Sequence, residues 1–535
     1  MPPRNDNTQH MKRRKFLQTT GATVTGAAML HGFPIGAYGY SPELAALTNA
    51  TTATDKVLVI VQLQGGNDGL NMIIPVDQYA ALAAARPNIM LPQNQVLPLT
   101  AATGIHPAMA TAQQLYKNSQ LGVVQSVGYP TPNFSHFRAT DIWTSGSSSD
   151  VVWTTGWGGR YLDGEFPGFP TGYPSAQNPD PLAISIGSVV SNCVQGPTVN
   201  MGMAIASTTS FYQLLSGGTD AAPATQAGHE LAFIRQVVSQ TQVYTTTIQA
   251  AAAKAKNLSP LYPTAGQNAL ADQLKIVAQL VAGGLSTRIY VCQLGGFDLH
   301  SSQVPATGST TTGAHATLLG KIADGINAFQ DDLRRLGVQD RVIGMTFSEF
   351  GRRIKANSSY GTDHGAAAPL LVFGSQANPI VHGPNPQLPA NAGVNDNVAM
   401  QIDFRSVYTS ILKDWFQVPQ ATLNQLFGQP FAYVPVIRQT ALATASSATP
   451  VPGFTLYPNP VADQATALFE SQGGVVQLVL LDGLGREVRR LVDGRVLGQG
   501  PQRVPLSVRG LAPGAYHCVV REGERSSSLV LVVAN

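Results

Sequence analysis

Six stretches of the chain are apolar almost without interruption: Val57–Leu63, Leu121–Val127, Leu182–Ile186, Ile289–Leu294, Val342–Phe347 and Leu370–Phe373. Runs this continuous and rich in β-branched residues predict strands covered on both faces, as in a parallel sheet. Longer segments of helical character lie between them: Glu230–Lys256, Asn268–Gly283, Ala316–Leu336 and Phe404–Phe416. Strands alternating with helices predict an α/β domain built on a doubly wound, mostly parallel sheet with helices on both faces.

The pattern changes at Thr440, where a Thr/Ala/Ser/Pro stretch carries no apolar period and reads as a linker. Beyond it, short alternating runs begin at Phe454, Val475, Val504, Ala515 and Ser528, separated by turn signals such as Asp493-Gly494 and Pro513-Gly514. They predict a small antiparallel β-sandwich. The expected organisation is a leader over 1–39, a linker over 40–55, the α/β domain over 56–438, a second linker over 439–452 and the all-β sandwich over 453–535.

Met11-Lys12-Arg13-Arg14-Lys15-Phe16-Leu17, followed by a weakly apolar run from Thr19 to Leu30 and small residues near Ala37, has the order of a twin-arginine export signal. That signal predicts the twin-arginine translocase as a partner and export of a folded chain. Apart from it no segment has the apolar length needed to span a bilayer, so no transmembrane segment is expected in the mature form. A net charge of +3 with only 12% charged residues argues against a nucleic-acid partner. Cys193, Cys292 and Cys518 are too scattered for a metal knuckle or a disulfide framework, and read as buried small hydrophobes.

Polar residues gather just past the predicted strands, where α/β proteins place their chemistry. Gly65-Gly66-Asn67-Asp68-Gly69 follows the first strand and offers Asp68, although Asn-Asp-Gly also makes an ordinary turn. After the second, Ser135 stands where a helix begins, with free backbone N–H groups that favour an anion, and Arg138 lies three residues on along the same face. Ser135 could equally cap the helix. Asp298 and His300 alternate with Leu299, so extended backbone turns both to one side, where they can share a cation. Glu349, the pair Asp363-His364, and His382 complete the candidates. Their oxygen and imidazole donors suit zinc, manganese, magnesium or calcium to different degrees.

Taken in order, Gly65-Gly66-Asn67-Asp68-Gly69, Ser135-His136-Phe137, Gly295-Gly296-Phe297-Asp298-Leu299-His300, Ser348-Glu349-Phe350-Gly351-Arg352 and Thr362-Asp363-His364-Gly365 resemble the alkaline phosphatase superfamily. More closely they resemble a secreted, twin-arginine-exported family within it, domain-of-unknown-function family 1501. The resemblance implies a metal-dependent hydrolase of phosphate or sulfate esters using one or two divalent cations, with Ser135, Arg138 and His136 as catalytic candidates. It places Asp68 and Ser135 on one ion with a later acid and histidine, and Asp298, His300 and His382 on the other. Whether Glu349 or Asp363-His364 supplies that later ligand stays open, because Glu349-Phe350 stands where the superfamily has Asp-His. The alternative is a surface binding or structural protein that keeps the scaffold without catalysis. The Cys/Ser-x-Pro-x-Arg motif of formylglycine sulfatases is absent, which argues against that chemistry.

The tail resembles a type IX secretion sorting domain through Tyr457-Pro458-Asn459-Pro460, Asp482-Gly483-Leu484-Gly485-Arg486 and Leu511-Ala512-Pro513-Gly514-Ala515-Tyr516. That implies the type IX secretion machinery as a partner and delivery through the periplasm to the cell surface or the extracellular space.

Overall fold

The computed structural model describes residues 55–208, 243–438, 450–481, 487–523 and 525–534, together with a short antiparallel pair, Ala28–Leu30 and Phe33–Ile35. The twin-arginine motif, the first half of the helix expected over 230–256 and the 482–486 motif of the tail lie outside the described residues. The chain divides into two compact units, Met1–Arg438 and Gln439–Asn535.

The first unit is organised by a nine-stranded sheet. Its strands are β1 (Val57–Leu63), β2 (Leu121–Gly128), β3 (Ala183–Ile186), β4 (Gly202–Ile205), β5 (Ile289–Leu294), β6 (Val342–Ser348), β9 (Ala368–Phe373), β10 (Val381–His382) and β11 (Ile402–Asp403). Between β6 and β9 a separate hairpin is formed by β7 (Arg352–Ala356) and β8 (Thr362–His364). The order across the sheet is β10-β2-β9-β6-β1-β5-β3-β4, with β11 also pairing β2. All strands run the same way except β9, which is antiparallel to both of its neighbours.

The continuous apolar runs are explained by cover on both faces. Val57, Val59 and Val61 of β1 point to a core with Leu274 of helix α2 (Ala269–Ala282) and Phe329 of helix α3 (Ala314–Arg335). Leu58 and Ile60 point the other way, to Trp143 of helix α1 (His136–Ser145) and Tyr408 of helix α4 (Phe404–Asp414). Each such side chain taken fully out of water contributes about 1.5–3 kcal/mol. The α2 start is fixed by Asn268, whose side-chain oxygen accepts from the Leu270 and Ala271 N–H groups. All three cysteines are buried and unpaired. Among the described residues no helix is long and apolar enough to cross a membrane.

Register positions the chemistry. Leu294 of β5 and Ser348 of β6 both lie opposite Leu63 of β1, so three adjacent parallel strands end level. Their following loops open on one edge, and the β7/β8 hairpin returns to it, with Arg352 opposite His364.

The second unit holds two antiparallel sheets. One joins Thr455–Tyr457, Gln464–Gln472 and Gln499–Ser507; the other joins Glu487–Val496, Val475–Leu481, Gly514–Glu522 and Arg525–Val533. Alternation along Gln464–Gln472 turns Ala465, Ala467 and Phe469 into a core shared with Leu478, Leu480, Cys518 and Val520. The Asn459 side chain donates to Val530 O and accepts from Val532 N, engaging the edge strand as a neighbouring strand does. The Tyr516 hydroxyl donates to Ala512 O four residues upstream, closing the corner before its strand.

Candidate metal centre

At the edge where β1, β5 and β6 end, the backbone approaches itself closely. Gly65 and Gly66 have φ of +119° and +77°; a Cβ on Gly65 would lie 2.3 Å from Asp298 N, and one on Gly66 2.2 Å from the Phe350 ring. Only glycine meets both demands. Arg352, 1% exposed, fastens the loops together. Its Nε donates to Gly66 O at 2.6 Å, Nη1 to Thr362 O at 2.7 Å, and Nη2 to Gly65 O, to Phe297 O at 3.0 Å and to Asp298 Oδ1 at 2.8 Å.

Three imidazoles surround Asp298. His300 Nε2 lies 3.1 Å and His364 Nε2 3.2 Å from Asp298 Oδ1, and His136 Nε2 is 3.5 Å from Oδ2. His300 Nε2 and His364 Nε2 are 2.9 Å apart. The ligand atoms of His136, Asp298 and His364 fall within 4.8 Å of one another. Each ring is held by its other nitrogen: His136 Nδ1 by Glu349 Oε1 at 2.9 Å, His300 Nδ1 by Asp363 Oδ1 at 3.0 Å, and His364 Nδ1 by Phe134 O at 2.9 Å. Acceptors on Nδ1 place the proton there and leave Nε2 free to bind a cation, as histidines at metal centres are commonly arranged.

The donor set fits a single divalent ion. Ligand atoms about 2.0–2.1 Å from a tetrahedral ion stand about 3.3 Å from one another, close to the separations here. The Asp298 carboxyl is set up for the task. Partial burial would raise it, but the hydrogen bond and charge of Arg352 lead the effects that hold it well below the usual carboxylate value. His364 is shifted below its ordinary value, by burial first, with the Asp298 and Phe134 hydrogen bonds acting against it. It is therefore a neutral ligand over a wider pH range. The Phe350 ring packs on His136 and His364, with centroids 4.9 and 4.4 Å away, and walls the centre on that side.

Several candidates from the sequence go elsewhere. Glu349 is buried behind His136 and accepts from the Gly65 N–H at 2.8 Å as well, so it positions a ligand and leaves the inner place to His364. Asp363 does the same behind His300. His136, read as a catalytic candidate, stands in the cluster that could hold the cation. Asp68 is turned away: Arg86 Nη1 meets both of its oxygens at 2.8 and 2.7 Å, and Gln303 Nε2 donates to Oδ2 at 2.6 Å. Burial opposes its ionisation, yet Arg86, His315 and Gln303 hold the carboxyl below its usual value. Arg138 clasps the following loop, donating to Asp141 and to the carbonyls of Ser148, Ser149 and Val151. Its Nη2 is taken up by the chain. His382 lies opposite Val124 within the sheet, about 13 Å along the strand from the Gly128 end at 3.3 Å per residue. The reversal of β9 puts it there, since a chain leaving β9 emerges at the opposite edge. One cluster of this kind is found among the described residues, and it includes neither Asp68 nor His382.

Ser135 precedes α1 and is exposed, and its hydroxyl makes no capping hydrogen bond. Trp143 stacks on Phe347 and Phe404, with centroids 5.5 and 4.5 Å away, and so holds the helix that carries His136. Reasoning from sequence missed the fastening role of Arg352, which stands inside a quoted motif, and Arg86, a lone arginine with no motif around it.

Residues 108–432 match the family described as "Protein of unknown function (DUF1501)". The chain belongs to that family. No curated protein matches it. Solved structures that it resembles include a protein in the alkaline phosphatase superfamily from Vibrio parahaemolyticus, at 8% identity and TM-score 0.32 over 90% of this chain and 83% of that one. A 2-O GAG sulfatase follows at 8% identity and TM-score 0.30, over 89% and 84%. The phosphonate monoester hydrolase SpPMH from Silicibacter pomeroyi has 10% identity and TM-score 0.30, over 89% and 88%. Likenesses this loose transfer no chemistry to this DUF1501 chain.

Proposed function

We propose that this DUF1501 protein is an exported hydrolase of phosphate or sulfate esters that works with a divalent cation held by His136, Asp298 and His364, with His300 beside them. The observation that carries the reading is the common orientation of three imidazoles, each anchored at Nδ1 and each turning Nε2 toward one carboxylate. A bound cation supplies Lewis acidity at that point. Ser135 presents an unengaged hydroxyl at the start of α1, where free backbone N–H groups favour an anionic ester. Its Oγ attacks phosphorus or sulfur, the alcohol leaves, and water then releases the acid and restores the serine. Glu349 and Asp363 keep the ring tautomers fixed, and Arg352 keeps Asp298 ionised.

The test is a panel of phosphate monoesters, phosphate diesters and sulfate esters, assayed with the purified chain before and after chelation. Turnover is expected to need the metal, to disappear in His364→Ala with loss of bound ion, and to disappear in Ser135→Ala with the ion retained. Ester hydrolysis that survives both chelation and Ser135→Ala would refute the proposal. A non-catalytic binding protein is the second reading, favoured by the engagement of Arg138 with backbone carbonyls. It predicts stoichiometric metal with no turnover of any ester in the panel.

Export through the twin-arginine translocase and the type IX machinery belongs to the same proposal and rests on the sequence motifs. Replacing Arg13 and Arg14 by Lys is expected to retain the chain in the cytoplasm, and deleting 453–535 to retain it in the periplasm. Unchanged delivery in either case refutes that part.

A further inference from the structure

The β7/β8 hairpin carries two adjacent arginines that are used differently. Every nitrogen of Arg352 is engaged. The guanidinium of Arg353, half-buried, makes no hydrogen bond or ion pair among the described residues; its Cζ lies 5.8 Å from the centroid of the Phe134 ring. The backbone around it is held firmly. Arg86 Nη2 donates to Arg353 O at 2.7 Å, and Arg353 bridges Asn397.

Its place relative to the centre is given through Phe134. Phe134, over which it lies, is the residue whose carbonyl anchors His364 Nδ1. A cationic fork over an aromatic face beside a His/Asp centre, with its donors unspent, matches a tetrahedral oxyanion better than it matches a structural role. Arg138, the arginine that sequence favoured for this task, already donates through Nη1 to Asp141 and through Nη2 to three backbone carbonyls.

We propose that Arg353 is the substrate-positioning cation of this site, its fork taking the nonbridging oxygens of a phosphate or sulfate group while Phe134 supports the guanidinium plane. This rests on the hydrolase reading above. The experiment compares wild type, Arg353→Gln and Arg353→Lys as the full chain. It measures hydrolysis of 4-nitrophenyl phosphate, 4-nitrophenyl sulfate and the neutral 4-nitrophenyl acetate, bound metal, and calorimetric binding of inorganic phosphate and sulfate.

For whichever anionic ester is turned over, Arg353→Gln is expected to raise KM about tenfold or more with a smaller change in kcat. It is expected to weaken binding of the matching inorganic anion in step, and to leave metal content and acetate hydrolysis as in wild type. Arg353→Lys keeps the charge without the fork and is expected to fall between. Anion binding and anionic KM unchanged in Arg353→Gln, or an equal loss on the acetate, overturns the proposal while leaving the hydrolase reading in place. Wild type that binds phosphate or sulfate through Arg353 but turns over no ester overturns the hydrolase reading and leaves the anion site standing.

Discussion

Replacing Glu349 separates a ligand from a residue that aims one. The carboxylate is 2% exposed and accepts from Gly65 N at 2.8 Å, His136 Nδ1 at 2.9 Å and Ser348 Oγ at 3.3 Å. Glu349→Gln keeps one carbonyl oxygen for the first two donors but removes the charge. Hydrogen bonds to a charged acceptor are about twice as strong as neutral ones, a difference of about 1–1.5 kcal/mol. Metal affinity is therefore expected to fall about tenfold, at unchanged stoichiometry. Glu349→Ala leaves the part-buried Gly65 N–H and His136 Nδ1–H without that acceptor. Each costs about 1–3 kcal/mol, so folded stability falls too and metal affinity drops about a hundredfold. Competition with a chromophoric chelator gives the affinities, and urea midpoints give the stabilities. A folded Glu349→Gln chain that holds no ion at any concentration would make Glu349 a ligand; one that binds as tightly as wild type would show that the anchor does nothing. Either result refutes the reasoning.

Two further outcomes test the layer beneath the centre. Arg86→Met strands the Asp68 carboxylate, 3% exposed beside an arginine that is 0% exposed, and is expected to cost about 3–5 kcal/mol by urea denaturation; the double variant Arg86→Met/Asp68→Leu recovers most of it. His106 and His315 are held neutral, down to about 3 and about 4, by burial first; at His315 the Asp68 charge acts against this and Arg86 and Arg352 add to it. The unfolded chain takes up these protons below about pH 6.5, so stability contributed by the neutral rings is lost as pH falls from there toward 4. Urea midpoints recorded with chelator present are expected to drop across that window, by about 1.4 kcal/mol per pH unit per histidine. His315→Gln should flatten the slope by one proton, and an unaltered slope would contradict the assignment.

Much of the fold is legible because strands buried on both faces leave continuous apolar runs, as at Val57–Leu63 and Ile289–Leu294, where the strand bounds agree to the residue. Strand direction leaves no such trace. The run ending at Phe373 reads like its neighbours yet is reversed, and that reversal moves His382 into the sheet. At the site, Asp298 and His300 are legible because they alternate along the sequence, and His300 Nε2 stands 3.1 Å from Asp298 Oδ1. The place of Glu349 is not, because a carboxylate that binds an ion and one that aims an imidazole have the same local sequence; only the 2.9 Å contact to His136 separates them. Asp68 misleads for a related reason. A buried acid after a strand reads as a ligand until its counter-charge is seen, and Arg86 lies 18 residues along the chain with nothing to mark it.

The most direct test of the account is metal analysis of the purified full chain combined with anomalous diffraction at the absorption edge of the metal found. One ion per chain is predicted, bound through Nε2 of His136 and His364 and the Asp298 carboxylate, with His300 Nε2 beside it and with Glu349 and Asp363 on the far side of their imidazoles. A chain that takes up no ion, or an anomalous peak centred on Glu349, Asp68 or His382, would contradict it.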